Sequence, residues 1–311
     1  MTRFLKVFLR DRLERPVQLA GFGKHPAWDD HIDDLGLTTE TLVITRRILY
    51  SEGIASQLAS GAWHQLEETG QAIEFDHRFV WSREAQSVIG GIWASSDGKG
   101  RAHFPMIVCL QIGVDGWHAI HRFLELVEDL GTTCQKTKDQ QNFRAVFSEA
   151  QLRVGSHADS NLETRPHEIS GLREEAVLNG MIALSQGVGN YRKEGVRRGV
   201  RSVHFRLPAI SPRAKESLEF WAGYLETQLD LRLPCLTIAS AGLGPVDIIA
   251  GEPDANDFFC LRAAETRLPM TSSGDERPAD VRLQGKVYLR SFGLGSVHSS
   301  NERSRRWRLF K

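Results

Sequence analysis

Residues 87–112 read SVIGGIWASSDGKGRAHFPMIVCLQI. Two apolar runs, at 88–95 and 103–112, flank the turn-forming residues 97–100 (DGKG). A turn of this kind between two apolar runs predicts an antiparallel hairpin, with Pro105 at a bulge or at an edge position. The hairpin favours an antiparallel sheet over a doubly wound parallel one, and this choice decides the fold class.

The segments around this hairpin alternate between strand and helix patterns. Residues 17–20 form a short apolar run, and apolar side chains at alternate positions indicate another strand at 73–81. Helical spacing follows Thr39, which can cap a helix to about residue 62, and it returns at 117–130. Strands that come as hairpins as often as with crossovers predict an α+β fold, an antiparallel sheet covered by helices.

The later part of the chain repeats this mixture of strands and helices. Alternating apolar residues predict strands at 203–207, 235–239 and 246–250. Residues 131–168 are polar and weakly patterned, and alternating Val and Leu residues at 281–289 predict a terminal pair of strands. The chain is therefore expected to divide into an N-terminal region at 1–130, a linker or irregular segment at 131–170, an α/β half at 171–265, and terminal strands with a basic tail at 266–311.

Composition excludes several classes of function. The 39 basic residues balance 39 acidic ones, and zero net charge argues against a nucleic-acid binder, whose affinity depends on neutralising phosphates. No apolar run approaches the roughly 20 residues that span a bilayer, so membrane insertion is not expected. The four cysteines form no CxxC pair, which predicts no zinc site and favours a cytoplasmic location, with Cys109 and Cys235 as buried hydrophobic residues.

A glycine loop follows the first strand, at 21–32 (GFGKHPAWDDHI). It is not a phosphate-binding P-loop, because neither Ser nor Thr follows its Gly-Lys pair. Histidine and carboxylate side chains can bind metals, although their spacing in this loop matches no recognised motif, so a structural turn or an interaction loop is the other reading. The candidate ligands of a metal site would be His25, Asp29, Asp30, His31 and Asp33.

The same loop resembles the N-terminal signature of the TagF (ImpM) family, which is associated with bacterial type VI secretion. That signature has an apolar strand, then Gly-Lys-x-Pro, then Gly-Asp-Phe and an aliphatic residue. In this chain Asp29 stands at the position of the Gly before Asp, and His31 stands at the position of the Phe. The residues that match the signature are Gly23, Lys24, Pro26, Asp30 and Ile32.

A second feature of that family is a hairpin that carries Asp, Gly-Arg and an aromatic-Pro pair. The turn at 97–105 is similar to it, with one extra residue between the Arg and the Pro. Residues 233–262 loosely resemble a third segment, in which two strands precede Gly-x-Pro and a helix. The residues that carry the second resemblance are Asp97, Gly100, Arg101, Phe104 and Pro105.

The resemblance implies a longin- or profilin-like antiparallel sheet flanked by helices, with a second α/β half. It also implies a non-enzymatic accessory protein that restrains type VI secretion after translation, through a forkhead-associated scaffold partner. Both motifs would then fall at one end of the sheet and bring Lys24, Asp30 and Arg101 together. These residues and Asp97 would brace the loops or form the polar surface that a partner contacts.

The residues themselves show no defensible set of nucleophile, base and orienting group, and no G-x-S-x-G elbow. No enzymatic activity and no cofactor are therefore expected. Two alternatives remain open beside the TagF-like regulator. One is a metal-dependent hydrolase that uses His25, Asp29, Asp30 and His31, and the other is a longin-like adaptor unrelated to secretion.

Overall fold

A computed structural model of the chain describes residues 17–83, 86–157, 174–229, 233–272 and 279–292. None of the helices in these ranges is both long and apolar enough to cross a membrane. The basic tail expected at the end of the chain and the last part of the expected 131–170 linker lie outside the described residues.

Seven strands form one sheet in the described part of the chain, and every neighbouring pair is antiparallel. They are β1 (Gln18–Gly23), β2 (Asp76–Arg83), β3 (Gln86–Trp93), β4 (Met106–Ile112), β5 (Ser202–Leu207), β6 (Cys235–Ser240) and β7 (Val246–Gly251). Their order is β1-β4-β3-β2-β6-β7-β5. The β2–β6 pair, with Phe79 opposite Ile238, therefore joins the strands of the 1–130 region to those of the 171–265 region.

Helices pack on both faces of this sheet. Those of the first half are α1 (Glu40–Thr45), which continues through a π-helical segment (Arg46–Ile54) into α2 (Ala55–Ala59), then α3 (Ala62–Glu68), α4 (Gly116–Gln135) and α5 (Gln140–His157). Those of the second half are α6 (Glu174–Asn190), α7 (Ala214–Gln228), a 3₁₀ helix (Ala255–Leu261) and α8 (Ala279–Ser291). Thr39 caps α1 through its side chain, as expected.

Two hydrophobic cores lie on the two faces of the sheet, because successive residues of a strand point to opposite sides. In β2, Phe79 and Trp81 pack in the same core as Trp63 of α3. Val80, between them, packs in the other core with Phe123 of α4. This arrangement confirms the predicted α+β fold, an antiparallel sheet flanked by helices.

The hairpin predicted over 87–112 is present. Strands β3 and β4 are adjacent and antiparallel, with Ser87 opposite Ile112 and Trp93 opposite Met106. The connecting loop spans 94–105 and contains the turn at 97–100, in which the Gly100 N–H donates to the Asp97 carbonyl over 2.9 Å. We call the loop at 21–32 the first family-like motif and the turn at 97–105 the second. The second motif therefore lies at the end of β3 and β4.

The prediction of a linker or irregular segment at 131–170 is wrong over much of its length. Helix α4 continues to Gln135, and α5 occupies Gln140–His157. The sequence of α5 looks polar because one narrow stripe carries its contacts with the core, at positions spaced by three or four residues. The buried residues of that stripe are Phe143, Phe147, Ala150 and Val154.

The prediction of a terminal strand pair within 266–311 is also wrong for the residues of this range that the structure describes. Residues 279–291 form helix α8 instead. Its side chains at 288 and 289 are buried in a core, whereas Leu283 and Val287 are exposed on another face. The alternation of apolar residues at 281–289 therefore comes from one buried stripe of a helix and two exposed apolar side chains. It does not mark the two faces of a strand.

Candidate interaction site

Gly23 brings the two family-like motifs together at one end of the sheet. It is the last residue of β1, opposite Met106 of β4, and its φ of 102° lies in the region that only glycine adopts readily. A Cβ atom at this position would lie 2.1 Å from the Pro105 carbonyl oxygen. The next residue, Lys24, donates its backbone N–H to that same oxygen over 3.1 Å. Close backbone approach therefore positions Lys24 beside the second motif.

The Asp97 carboxylate is fully buried and collects donors from both motifs. Lys24 Nζ lies 2.5 Å from Asp97 Oδ2, and Arg101 Nε lies 2.7 Å from the same oxygen. The backbone N–H groups of Lys99 and Arg101 each donate to Oδ1 over 3.0 Å. Desolvation alone would raise the pKa of Asp97, but the hydrogen bonds from Lys24, Arg101 and Lys99 outweigh it and hold the pKa well below its ordinary value.

Asp30 forms the solvent-facing end of the same network. Its side chain is 67% exposed, and its Oδ1 lies 3.5 Å from Lys24 Nζ and 3.2 Å from Arg101 Nη2. Arg101 Nη2 also donates to the Asp29 carbonyl over 3.0 Å. Desolvation would raise the pKa of Asp30, but the charge of His31, together with Lys24 and Arg101, lowers it below its ordinary value. We call Lys24, Asp30, Asp97 and Arg101 the charge cluster.

The structure thus brings Lys24, Asp30 and Arg101 into contact, as predicted from the two motifs. Lys24 is almost completely buried, whereas half of the Arg101 side chain is exposed. Asp97 lies beneath the surface and holds the guanidinium of Arg101, and Lys24 and Arg101 in turn hold the carboxylate of Asp30 at the surface. Chemically, this arrangement can present a fixed pair of opposite charges to another molecule.

The remaining predicted site residues support the shape of these loops. Pro26 is exposed, and Pro105 is buried directly before β4. Gly100 ends the 97–100 turn with a φ of 78°, and a Cβ atom there would meet no other atom within 4 Å. The Gly98 N–H donates to the Trp28 carbonyl over 2.6 Å, which ties the second motif to the first.

His25 is not free to bind a metal. Its ring is completely buried, with Nε2 3.0 Å from the Cys134 carbonyl oxygen and Nδ1 3.1 Å from the Ala27 nitrogen. Since a carbonyl can only accept, Nε2 carries the proton and Nδ1 accepts from Ala27. Desolvation lowers the pKa of His25, although the hydrogen bond to Cys134 opposes it. The His25 ring packs edge-on against Trp28 and Phe143, as an aromatic core residue does.

Two carboxylates of the first loop also have cationic or donor partners. Asp33 accepts from Trp28 Nε1 and from Arg144, and Asp30 belongs to the charge cluster. His31 Nδ1 lies 3.0 Å from Asp30 Oδ1. The geometry therefore gives no support to the alternative in which this loop is a metal centre.

A groove of about 600 Å³ opens beside the charge cluster. Its lining includes residues of both motifs, the end of α3 and Arg262, which directly follows the 3₁₀ helix. Arg262 donates to Glu67 over 2.8 Å. The residues along the groove include His25, Pro26, Ser95, Ser96, His103, Glu74 and Arg262.

Sequence reasoning missed one cluster of potential ligands. In the described part of the chain, His204, Asp247 and Cys260 are the only group of three or more His, Cys, Asp or Glu residues whose ligand atoms come together, within 4.8 Å of one another. They belong to three separate elements, so their spacing in sequence carries no motif. Only the pairing of the strands could have indicated this cluster.

Comparison with models of known protein families gives no match, and no curated protein matches the chain. Among solved structures, the chain is similar to PA0076 from Pseudomonas aeruginosa PAO1, with 18% sequence identity and a TM-score of 0.34. The alignment covers 84% of this chain and 97% of that chain. A likeness at this score carries no argument about fold or function, which rest on the geometry described above.

Proposed function

We propose that this protein is a non-enzymatic accessory or regulatory protein that acts by protein–protein interaction in type VI secretion. The proposal places it in the cytoplasm, with a forkhead-associated scaffold as its partner. The observation that carries it is the charge cluster, in which the two motifs that resemble the TagF family meet. The resemblance of the two motifs to the TagF family is the reason for proposing a role in secretion. The charge cluster is the surface that we propose contacts the partner.

The energetics of the exposed ion pair in the charge cluster favour a role in binding over a role in stability. Exposed ion pairs contribute little to folding, because solvent screens them and two side chains must be ordered. The Asp30–Arg101 pair is of this kind. The buried pair of Lys24 and Asp97 is different, because hydrogen bonds to the Asp97 carboxylate outweigh its desolvation and this pair holds the cluster in place. The exposed Asp30–Arg101 pair is therefore better explained by what it presents than by what it stabilises.

The cluster also provides the preorganisation that binding requires. Asp97 holds Arg101 from below through the side-chain Nε and the backbone N–H. The Arg101 side chain therefore loses less conformational freedom when a partner contacts it, and affinity gains accordingly. An arginine held in this way suits an acidic or carbonyl-rich partner surface, because its guanidinium offers several donors in a fixed plane.

A longin-like adaptor outside secretion would use the same surface for a different partner. The hydrolase alternative would instead require a free base or metal ligand in the first loop. His25 is engaged by Cys134 and Ala27, and Asp30 is engaged by Lys24 and Arg101. The geometry therefore favours the two binding hypotheses over the hydrolase.

The proposal is tested by pull-down of the forkhead-associated protein from the type VI secretion system of the same organism. The tagged wild-type protein should retain it, and Asp30→Ala and Arg101→Ala should lose most of it. Arg198→Ala is the matched control, since Arg198 is an exposed arginine paired with Glu194 far along the chain. No retention by the wild type would contradict the partner, and equal retention by all folded variants would contradict the surface.

A further inference from the structure

A mixed set of metal-binding side chains lies on the other half of the sheet, away from the charge cluster. His204 is on β5, Asp247 is on β7, and Cys260 is in the 3₁₀ helix that packs over them. One ligand atom from each of the three residues lies within 4.8 Å of the other two. Within this group, His204 Nε2 and Asp247 Oδ1 lie 2.8 Å apart and form a hydrogen bond.

The register of the strands explains why these residues meet. His204 pairs with Ile249, and Asp247 pairs with Arg206. Residues two apart on a strand share one face, so His204 and Asp247 are diagonal neighbours on the same side of the sheet. The 3₁₀ helix covers that side and adds Cys260 from above.

Burial and access both suit an ion that enters from solvent. Asp247 and Cys260 are buried, whereas 20% of the His204 side chain is exposed. The imidazole therefore forms the outer wall of the cluster, and the carboxylate and the thiol form its floor. A ligand set that is closed on one side and reachable on the other leaves one coordination position for water.

We propose that His204, Asp247 and Cys260 bind a divalent transition metal of the zinc class. Imidazole nitrogen, carboxylate oxygen and thiolate sulfur are the three ligand types that zinc accepts in proteins. The metal replaces the hydrogen bond between His204 and Asp247. Nε2 of the neutral imidazole gives up the proton that it donates to Asp247, and the single ring proton moves to Nδ1. The Cys260 thiol releases one proton to solvent, so the two charges of the metal are balanced by one carboxylate and one thiolate.

Arg206 is the neighbour that sets the strength of this site. Its Nε lies 3.6 Å from Asp247 Oδ1, and its Nη2 donates to the Ala263 carbonyl over 3.0 Å. The positive charge of this guanidinium beside a bound cation weakens binding. A site of moderate affinity follows, and a spectroscopic titration is better suited to it than analysis of co-purified metal.

Cobalt(II) is the probe, because it occupies zinc sites and absorbs in the near ultraviolet when a thiolate binds it. Titration of Co²⁺ into the reduced full-length wild-type protein should produce a thiolate-to-cobalt charge-transfer band, and Zn²⁺ should abolish it. Cys260→Ser should remove the band. His204→Gln should weaken Co²⁺ binding at least about tenfold, the lower end of the loss seen when even a supporting partner of a metal ligand is changed.

The control is Cys235→Ser, because Cys235 is a buried cysteine outside the cluster. This variant should keep the band. The proposal is overturned if the wild type gives no band, if Cys260→Ser keeps it, or if Cys235→Ser loses it. Should Cys260→Ser fail to fold, His204→Gln decides the matter, since its partly exposed side chain can be changed with less damage to the core. The outcome does not depend on the proposed function.

Discussion

Replacement of Gly23 by alanine should destabilise the fold and separate the two motifs. The backbone at Gly23 has a φ of 102°, which costs about 1–3 kcal/mol for a residue with a Cβ atom. The new Cβ would also lie 2.1 Å from the Pro105 oxygen, so the backbone must move. That movement breaks the hydrogen bond from Lys24 to Pro105, worth about 0.5–1.5 kcal/mol. We expect a total loss of about 2–4 kcal/mol in the free energy of unfolding.

Gly100→Ala is the matched control for this substitution. Gly100 also has a positive φ, of 78°, but a Cβ atom there meets nothing within 4 Å. Only the backbone conformation is then penalised, by about 1–2 kcal/mol. Urea unfolding of both variants and the wild type, followed by circular dichroism, measures the two losses. Equal losses, or a larger one for Gly100→Ala, would refute the close approach between Gly23 and Pro105 as the reason for glycine.

Three further predictions concern stability. Leu289→Ala should lower the free energy of unfolding by about 2–5 kcal/mol, because α8 buries this side chain. Leu283→Ala should lower it by less than about 0.5 kcal/mol, because Leu283 is 64% exposed. Similar losses for the two variants on urea unfolding would argue for strands in place of α8. Desolvation, together with the charge of Asp115, raises the pKa of Glu226 from 4.5 to about 7, so the folded state binds the extra proton and stability should fall as pH rises through this window. Urea midpoints at about pH 5 and about pH 8 should show this slope in the wild type and not in Glu226→Gln. Asp97 behaves oppositely, because its hydrogen bonds outweigh desolvation and depress its folded-state pKa. Its contribution is present at neutral pH and is lost progressively as pH falls from 3.8 towards the depressed pKa, so Asp97→Asn should destabilise more at about pH 7 than at about pH 3, and part of the difference from the wild type should remain at the lower pH.

Local signals in the sequence were sufficient for the elements that depend on neighbours in the chain. The hairpin of β3 and β4 was predictable because a glycine-rich turn separates two apolar runs. The proximity of Lys24 to Arg101 was expected from the family resemblance instead, because it depends on the pairing of β1 with β4, which local signals do not give.

The failures of prediction have a common physical cause. Helix α5 buries one narrow stripe, from Phe143 to Val154, and the polar residues around it hide that stripe in the sequence. In α8, exposed Leu283 and Val287 imitate the alternation of a strand. Tertiary packing decides which apolar residues are buried, and the pattern of a single sequence does not reveal that packing.

The cluster of His204, Asp247 and Cys260 shows the same limit for sites. A metal site is recognisable in sequence when its ligands are close in the chain, as in CxxC pairs. Here the register of β5 with β7 brings the first two ligands together, and the 3₁₀ helix adds the third. The absence of CxxC pairs therefore excluded the common zinc motifs, but not a site assembled from separate elements.

The affinity of the forkhead-associated scaffold for this protein tests the central claim most directly. Titration calorimetry should compare the wild type with Arg101→Ala and with Arg198→Ala, after circular dichroism has shown that each variant is folded. We expect Arg101→Ala to raise the Kd at least about tenfold, equivalent to about 1.4 kcal/mol, and Arg198→Ala to leave it unchanged. An equal Kd for all three proteins, or no binding by the wild type, would contradict the claim that the charge cluster forms the partner-binding surface.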